Sequence, residues 1–268
     1  EVIENLGKPG ELVVEERKVL LREGVEEAFP EGAMAEALRL PREVTDAERA
    51  GREDLRHLPL VTIDPEDARD HDDAVHVARR EDGGYVATVA IADVSHYVTP
   101  GSALDAAAFA RGTSVYLPDR AVPMLPPALS SHLASLIPHE DRLVLGVEAH
   151  LSPDGEVEST RLFEGVICSR ASLTYTQVAH GLGWVKDPLD KVPPPLPHEL
   201  REDIEVAADL AGVLRKRRLK RGALDFDLPE GRVRFADDGR TPEDIYQSRH
   251  DPGVRRAYQL IEEMMLLA

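Results

Sequence analysis

Within the twelve residues Thr62–Asp73 stand six carboxylates: Asp64, Glu66, Asp67, Asp70, Asp72 and Asp73. Two unpaired carboxylates ~5 Å apart repel by roughly 3 kcal/mol at an effective dielectric of ~20. Several brought together must keep protons or take up a cation. Carboxylate oxygens suit the hard ions Mg²⁺, Mn²⁺ and Ca²⁺. The spacing is suggestive: Asp64 closes an apolar run, and Asp70, Asp72 and Asp73 follow after a loop long enough to fold back. A plain solvated acidic loop satisfies the same spacing. A helix–loop–helix calcium site does not, because no glycine falls at the sixth position of a plausible loop and no helices flank it in register.

The elements around this loop read as follows. Leu58–Ile63 is strand-like, and Pro65 ends it because proline cannot donate to a ladder. Strand character resumes at Ala74, turns at Glu81–Tyr85 and continues through "YVATVAIADV". Two long strands joined at Ser152–Gly155 follow further on. The helices expected are "VEERKVLLREGVEEAF" (Val14–Phe29), Pro100–Gly112 with Ser102 as N-cap and Gly112 as stop, "TQVAHGLG", a long helix ending at Gly222, and a last one starting near Asp251 or Pro252. A strand remnant opens the chain, Val185–Glu199 is a proline-rich connector, and "GALDFDLPEGRVRFADDG" reads as two more strands. Strands and helices mix irregularly. That favours an α+β fold with a mostly antiparallel mixed sheet over a doubly wound one.

The 268 residues are 42% apolar, enough for a real core, and carry a net charge of −18. That balance argues for solubility and against a nonspecific nucleic-acid coat, although a bound metal or a local basic patch reverses the field at a site. Cys168 is the only cysteine, so internal disulfides and cysteine zinc sites are excluded and a reducing, cytoplasmic setting is expected. No apolar run reaches membrane-spanning length, and the first residues lack the pattern of a signal peptide. Both ends read as interior to a longer chain, the last phrase being an uncapped helix, "YQLIEEMMLLA".

The phrase "TIDPEDARDHDDAV" resembles the signature of the RNB catalytic domain of the ribonuclease II and ribonuclease R exoribonucleases. Further phrases match in the same order: "IADVSHYVTPGSALD", "RGTSVYLPDRAVPMLPPALS", "SLIPHEDRL", "SRASLTYTQV" and "IEEMMLLA". The likeness is closer to the ribonuclease R subgroup and runs from Gly51 to the last residue. "LGKPGE" (Leu6–Glu11) is similar to the tail of the cold-shock-type domain that precedes it, which assigns residues 1–50 to that tail and a connector.

The resemblance implies processive 3′→5′ hydrolysis of RNA to nucleoside monophosphates with Mg²⁺, Mn²⁺ being a possible substitute. It implies that Asp64, Asp70, Asp72 and Asp73 are the metal ligands and catalytic carboxylates. Tyr116 then packs on the 3′-terminal nucleotide, Phe226 closes that base stack, and Tyr175 and Glu262 recognise the sugar near the cut. The expected partner is the 3′ end of single-stranded RNA, and the expected state is a monomer off the membrane. Aromatic clamps hold bases without reading sequence. Taken from pattern alone, Tyr116, Tyr175 and Phe226 read equally as core residues.

His71 stands where the family has an apolar residue; it is a filler able to hydrogen-bond a carboxylate. Ala134 replaces a common cysteine. The family's distal arginine, which would stabilise developing phosphorane charge, falls outside these residues. The missing helices would also cover Leu260, Met264, Leu267 and Ala268. The run Arg215–Arg221 fits a solvated helix end as well as a patch facing phosphates. Two rival readings stay open, an RNA-binding module without catalysis and a Ca²⁺-stabilised structural loop.

Overall fold

The computed structural model describes residues 4–185, 192–224, 230–238, 241–248 and 251–268. Its helices are α1 (Leu12–Arg22), α2 (Glu31–Ala37), α3 (Asp46–Arg49), α4 (Val94–Tyr97), α5 (Ala103–Arg111), α6 (Tyr175–Gly181), α7 (Arg201–Lys220) and α8 (Pro252–Leu267). Its strands are β1 (Glu53–Asp54), β2 (Val61–Asp64), β3 (Asp73–Arg79), β4 (Tyr85–Ala92), β5 (Val115–Tyr116), β6 (Ala121–Val122), β7 (Asp141–Leu151), β8 (Val157–Cys168), β9 (Ala171–Thr174), β10 (Glu230–Phe235) and β11 (Pro242–Ser248). Among the described residues no helix is long and apolar enough to cross a membrane.

The chain divides into two compact units. The larger comprises Pro41–Val94, Ser131–Leu228 and Arg249–Ala268. Its centre is a seven-stranded sheet in the order β1-β8-β7-β4-β3-β2-β9. Only the outer pairs, β1 with β8 and β2 with β9, are parallel. The expected α+β architecture with a mostly antiparallel sheet is therefore what forms.

The reason lies in the alternation. Val61 and Ile63, Val75 and Val77, and Tyr85, Ala87 and Val89 all face one side of the sheet, and residues of α6, α7 and α8 close over them in a single core. The covering helix α8 begins where its sequence predicts. Asp251 is the N-cap, its Oδ1 accepting from the Gly253 and Val254 amides at 2.7 and 3.1 Å, and Pro252 follows.

One expectation about α8 is overturned. Leu260 and Met264, read as an uncovered apolar stripe, are 1% and 0% exposed, because α6 and α7 of this same chain cover them. Leu267 packs against the same core, and Ala268 alone of the four is exposed.

The smaller unit, Glu1–Leu40, Ser95–Ser130 and Pro229–Ser248, holds α1, α2, α5 and the hairpins β5–β6 and β10–β11. In α5 the Ser102 hydroxyl accepts from the Asp105 amide at 3.0 Å and Gly112, at φ +73°, ends the helix, both as the sequence predicts. One expectation fails here. The first helix stops at Arg22 and does not reach Phe29, because the chain turns at Gly24 with φ +68°. The strand remnant expected at the start of the chain falls on residues 1–3, outside the described residues.

The acidic loop between β2 and β3 is held by its backbone. The His71 amide donates to the Ser135 hydroxyl at 3.0 Å, and the His71 carbonyl accepts from the Leu136 amide at 2.8 Å. That partner segment is fixed in turn by Arg142, which is 1% exposed. Its guanidinium donates to the carbonyls of Ser135 (2.8 Å), His132 (3.1 Å) and Asp141 (2.8 Å) and to the Glu140 carboxylate (2.7 Å). Replacing it strands buried acceptors, which costs ~1–3 kcal/mol each when nothing else reaches them. Arg142→Met is expected to lower unfolding free energy by about 2–4 kcal/mol. Amide exchange should quicken first at Leu136 and His71. Unchanged protection at Leu136 would show that Arg142 does not steady the acidic loop.

Candidate active site

Three features of the sheet gather the expected residues at one end of it. Asp64 ends β2, and Pro65 turns the chain, the Ala68 amide closing back on the Pro65 carbonyl at 3.2 Å. Asp73 opens β3 antiparallel to β2, through the pair Val61 and Val75. The loop Pro65–Asp72 therefore starts and ends at neighbouring strand ends. On its other side β2 runs parallel to β9, which sets Asp64 level with Thr174. Thr174 caps α6 in a reciprocal capping box with Gln177, so Tyr175 enters its helix beside the acidic loop.

The electrostatics of this loop are strained. Asp73 lies on the same face as Val75 and Val77, toward the covered core. Burial pushes its carboxyl up to about 6, with further contributions from the charges of Asp64 and Asp72. Asp72, although it reaches solvent, is also raised, by desolvation first and then by Asp70 and Asp64. Asp64 has a partner: His71 Nδ1 lies 2.7 Å from its Oδ2. That contact raises the His71 pKa, the Asp64 hydrogen bond being the largest cause. His71 is thus the carboxylate-bonding filler the sequence allows. Glu66 and Asp67 are exposed, as variable charged positions should be.

Among the described residues no three His, Cys, Asp or Glu side chains stand close enough to hold a metal ion as they are. Two observations nonetheless fit a hard cation. The donors are all carboxylate oxygens, and Asp72 and Asp73 are driven toward protonation by desolvation first and then by neighbouring carboxylates, a stress that a bound cation would relieve. A further acid near this end is kept out of the cluster: Asp93, just past β4, is 3% exposed and is bound at 2.5 Å by Arg52.

The remaining candidates fall in different places. Tyr175 is half-buried, and its ring stacks on Tyr258 of α8 with centroids 3.6 Å apart and planes at 21°. Glu262 is exposed on α8, one turn beyond Tyr258, and accepts from Arg218 at 2.8 Å. Tyr116 belongs to the smaller unit, at the end of the β5–β6 hairpin, and is 73% exposed, which is unusual for a tyrosine serving only as core. Phe226 lies outside the described residues.

The basic run divides. Arg218 is spent on the Glu262 and Glu263 carboxylates, and Arg217 donates to the Asp154 carbonyl at 3.2 Å, whereas Lys216, Lys220 and Arg221 face solvent. Sequence reasoning missed Tyr258 and the role of Arg218. The signal for Tyr258 was its spacing of four from Glu262, which puts both on one helix face.

Comparison with known proteins places the chain in a family. Residues 52–268 match the family model described as the RNB domain. The chain is 42% identical over 240 residues to ribonuclease R of Escherichia coli, covering 90% of this chain and 28% of that protein. It is 38% identical to ribonuclease R of Aquifex aeolicus, covering 100% of this chain and 36% of the relative. A solved structure of Mycoplasma genitalium RNase R in complex with ribose-methylated single-stranded RNA superposes with a TM-score of 0.86 at 29% identity, over 98% of this chain and 39% of that one. The chain thus spans about a third of the length of these relatives. With most of its residues inside that match, this chain belongs to the RNB-domain family, the family of ribonucleases R and II.

Proposed function

We propose that this chain carries the active site of an exoribonuclease that hydrolyses single-stranded RNA processively from its 3′ end to nucleoside 5′-monophosphates. The observation that carries this reading is the gathering of Asp64, Asp70, Asp72 and Asp73 at one end of the sheet, at and between the ends of β2 and β3. A binding surface for a polyanion has no use for such a cluster unless a cation sits in it. Residues 1–50 are read as the tail of a cold-shock-type domain and a connector, and residues 51–268 as part of the RNB catalytic domain.

Asp64, Asp70, Asp72 and Asp73 would hold Mg²⁺, with Mn²⁺ as a substitute. Bound there, the cation neutralises phosphate charge and lowers the pKa of water for attack on the phosphodiester. Asp73 and Asp72 must shed their protons before they serve as ligands. His71 orients Asp64 and supplies positive charge at low pH. Tyr116, with Phe226, stacks the terminal bases without reading them. Tyr175 and Glu262 recognise the ribose, since a 2′-hydroxyl both donates and accepts.

In the full-length protein encoded by the gene, Asp72→Asn is expected to abolish Mg²⁺-dependent release of nucleoside monophosphates. RNA affinity should stay within about twofold, because binding is spread over many phosphate and stacking contacts. Wild-type turnover in this variant would refute the assignment. Tyr116→Ala is expected to weaken retention of poly(A) and poly(U) about equally, by ~1–3 kcal/mol for one lost stack. A large loss on one homopolymer alone would mean that this position reads a base edge.

Stability without divalent ions should fall as pH rises, in two steps. A carboxyl at about 6 in the fold and ~3.9 in the unfolded chain favours the fold below pH ~4 and loses that advantage up to pH ~6. The loss is on the order of 2 kcal/mol after solvent screening. His71, raised in the fold, contributes stability that is whole below pH ~6.5 and vanishes above its folded value. Asp73→Asn should flatten the first step. At pH 8, Mg²⁺ at ten times its dissociation constant should restore about 1.4 kcal/mol. Thermal or urea unfolding across pH, with and without Mg²⁺, reads both effects, and equal curves with and without the ion would argue against a site here.

A further inference from the structure

We propose that Tyr258 and Arg218 are positioning residues that lock Tyr175 and Glu262 into one preorganised sugar-reading unit, a proposal that rests on the ribose-recognition reading above. The unit spans three helices, α6, α7 and α8. Tyr258 supplies the first lock. The capping box fixes the backbone at Tyr175 but does not itself set the side-chain torsion. The Tyr258 ring restricts that torsion by lying nearly parallel to the Tyr175 ring at 3.6 Å. Rotation of α8 is set in turn by Ala257, Leu260, Ile261 and Met264, all in the core. Tyr258 and Glu262, four residues apart, therefore share the face that this core leaves uncovered.

Arg218 supplies the second lock. Its Nε and Nη2 reach Glu263 Oε1 at 3.0 and 2.7 Å, and Nη2 also reaches Glu262 Oε1 at 2.8 Å. Glu263 is 3% exposed, so it anchors the guanidinium within the protein. The planar fork then holds Glu262, whose side chain is 49% exposed, at a fixed angle. Stability alone does not explain this second contact, since an ion pair open to water adds little. Preorganisation does: a carboxylate already oriented loses less entropy when it meets a hydroxyl.

The test compares a ribo- and a deoxyribo-oligoadenylate by fluorescence anisotropy, in EDTA so that neither is cut. The full-length protein is used, with the thermal midpoint recorded for each variant. Tyr258→Leu is expected to lower the RNA-to-DNA affinity ratio by roughly threefold to tenfold, the worth of one hydrogen bond to the 2′-hydroxyl. Tyr258→Phe, which keeps the stack, should preserve it. Arg218→Lys keeps the charge but replaces the fork with a point charge, and it should lower the ratio likewise; it carries the test if Tyr258→Leu does not fold. A merely structural role would weaken both oligonucleotides alike and leave the ratio unchanged, and that outcome overturns the proposal. Tyr175→Phe and Glu262→Gln are the controls. If they lower the ratio while Tyr258→Leu and Arg218→Lys do not, the positioning role fails and ribose recognition stands. If all four leave the ratio intact, both fail.

Discussion

Negative charge that the fold does not neutralise is the constraint on which the site depends. Two strand ends bring Asp64 and Asp73 to one edge of the sheet, and the loop between them adds Asp70 and Asp72. Left to itself such a loop would swing its acids into water, where repulsion is small. Asp72 does reach water, but the backbone limits how far the acids can spread. The His71 amide and carbonyl are both engaged by the Ser135–Leu136 segment, which Arg142 fixes from behind. Strain in the carboxylates is thus held by hydrogen bonds among neutral groups and one buried arginine, none of which touches a carboxylate of the cluster.

The helices do a different kind of work. They cover one face of the sheet with apolar side chains, and this burial fixes the faces they present elsewhere. Because Leu260 and Met264 are driven into the core, Tyr258 and Glu262 come out of it. The parallel pairing of β2 with β9 then carries Tyr175 to the same sheet end as Asp64. Packing of nonpolar residues in this way decides which polar ones can meet.

The parts of this arrangement governed by neighbours in sequence were legible there. The acidic spacing, Pro65 as a strand stop, Ser102 and Gly112 around α5, and Asp251 and Pro252 before α8 each act through contacts within a few residues. The alternation in "YVATVAIADV" marked β4 as a strand. What depended on distant partners was not legible. The basic run around Arg218 looked the same whether it met phosphates or carboxylates, because its partners lie more than forty residues away. The apolar stripe of α8 looked uncovered because the residues that cover it, on α6 and α7, gave no sign of their target. Helix α1 was read too long because the apolar pattern ran on past Gly24, whose backbone conformation ended it.

A comparison of acids within the fold separates those that hold it together from those of the candidate site. Among the described residues four carboxylates are buried: Glu16, Asp93, Asp251 and Glu263. Each has a partner, Arg120, Arg52, the two amides of a helix start and Arg218 respectively, although Glu16 Oε1 is left without one and burial raises the Glu16 pKa. A buried charge without such a match costs several kcal/mol, so folding tolerates few. Asp72 and Asp73, the first exposed and the second half-buried, are treated otherwise. Their main influences are desolvation and the like charges of Asp64 and Asp70 or Asp72, and the one opposing contribution, His71, comes last and is already engaged with Asp64. Under the metal-binding reading proposed above, a cation would supply the neutralisation that these two lack.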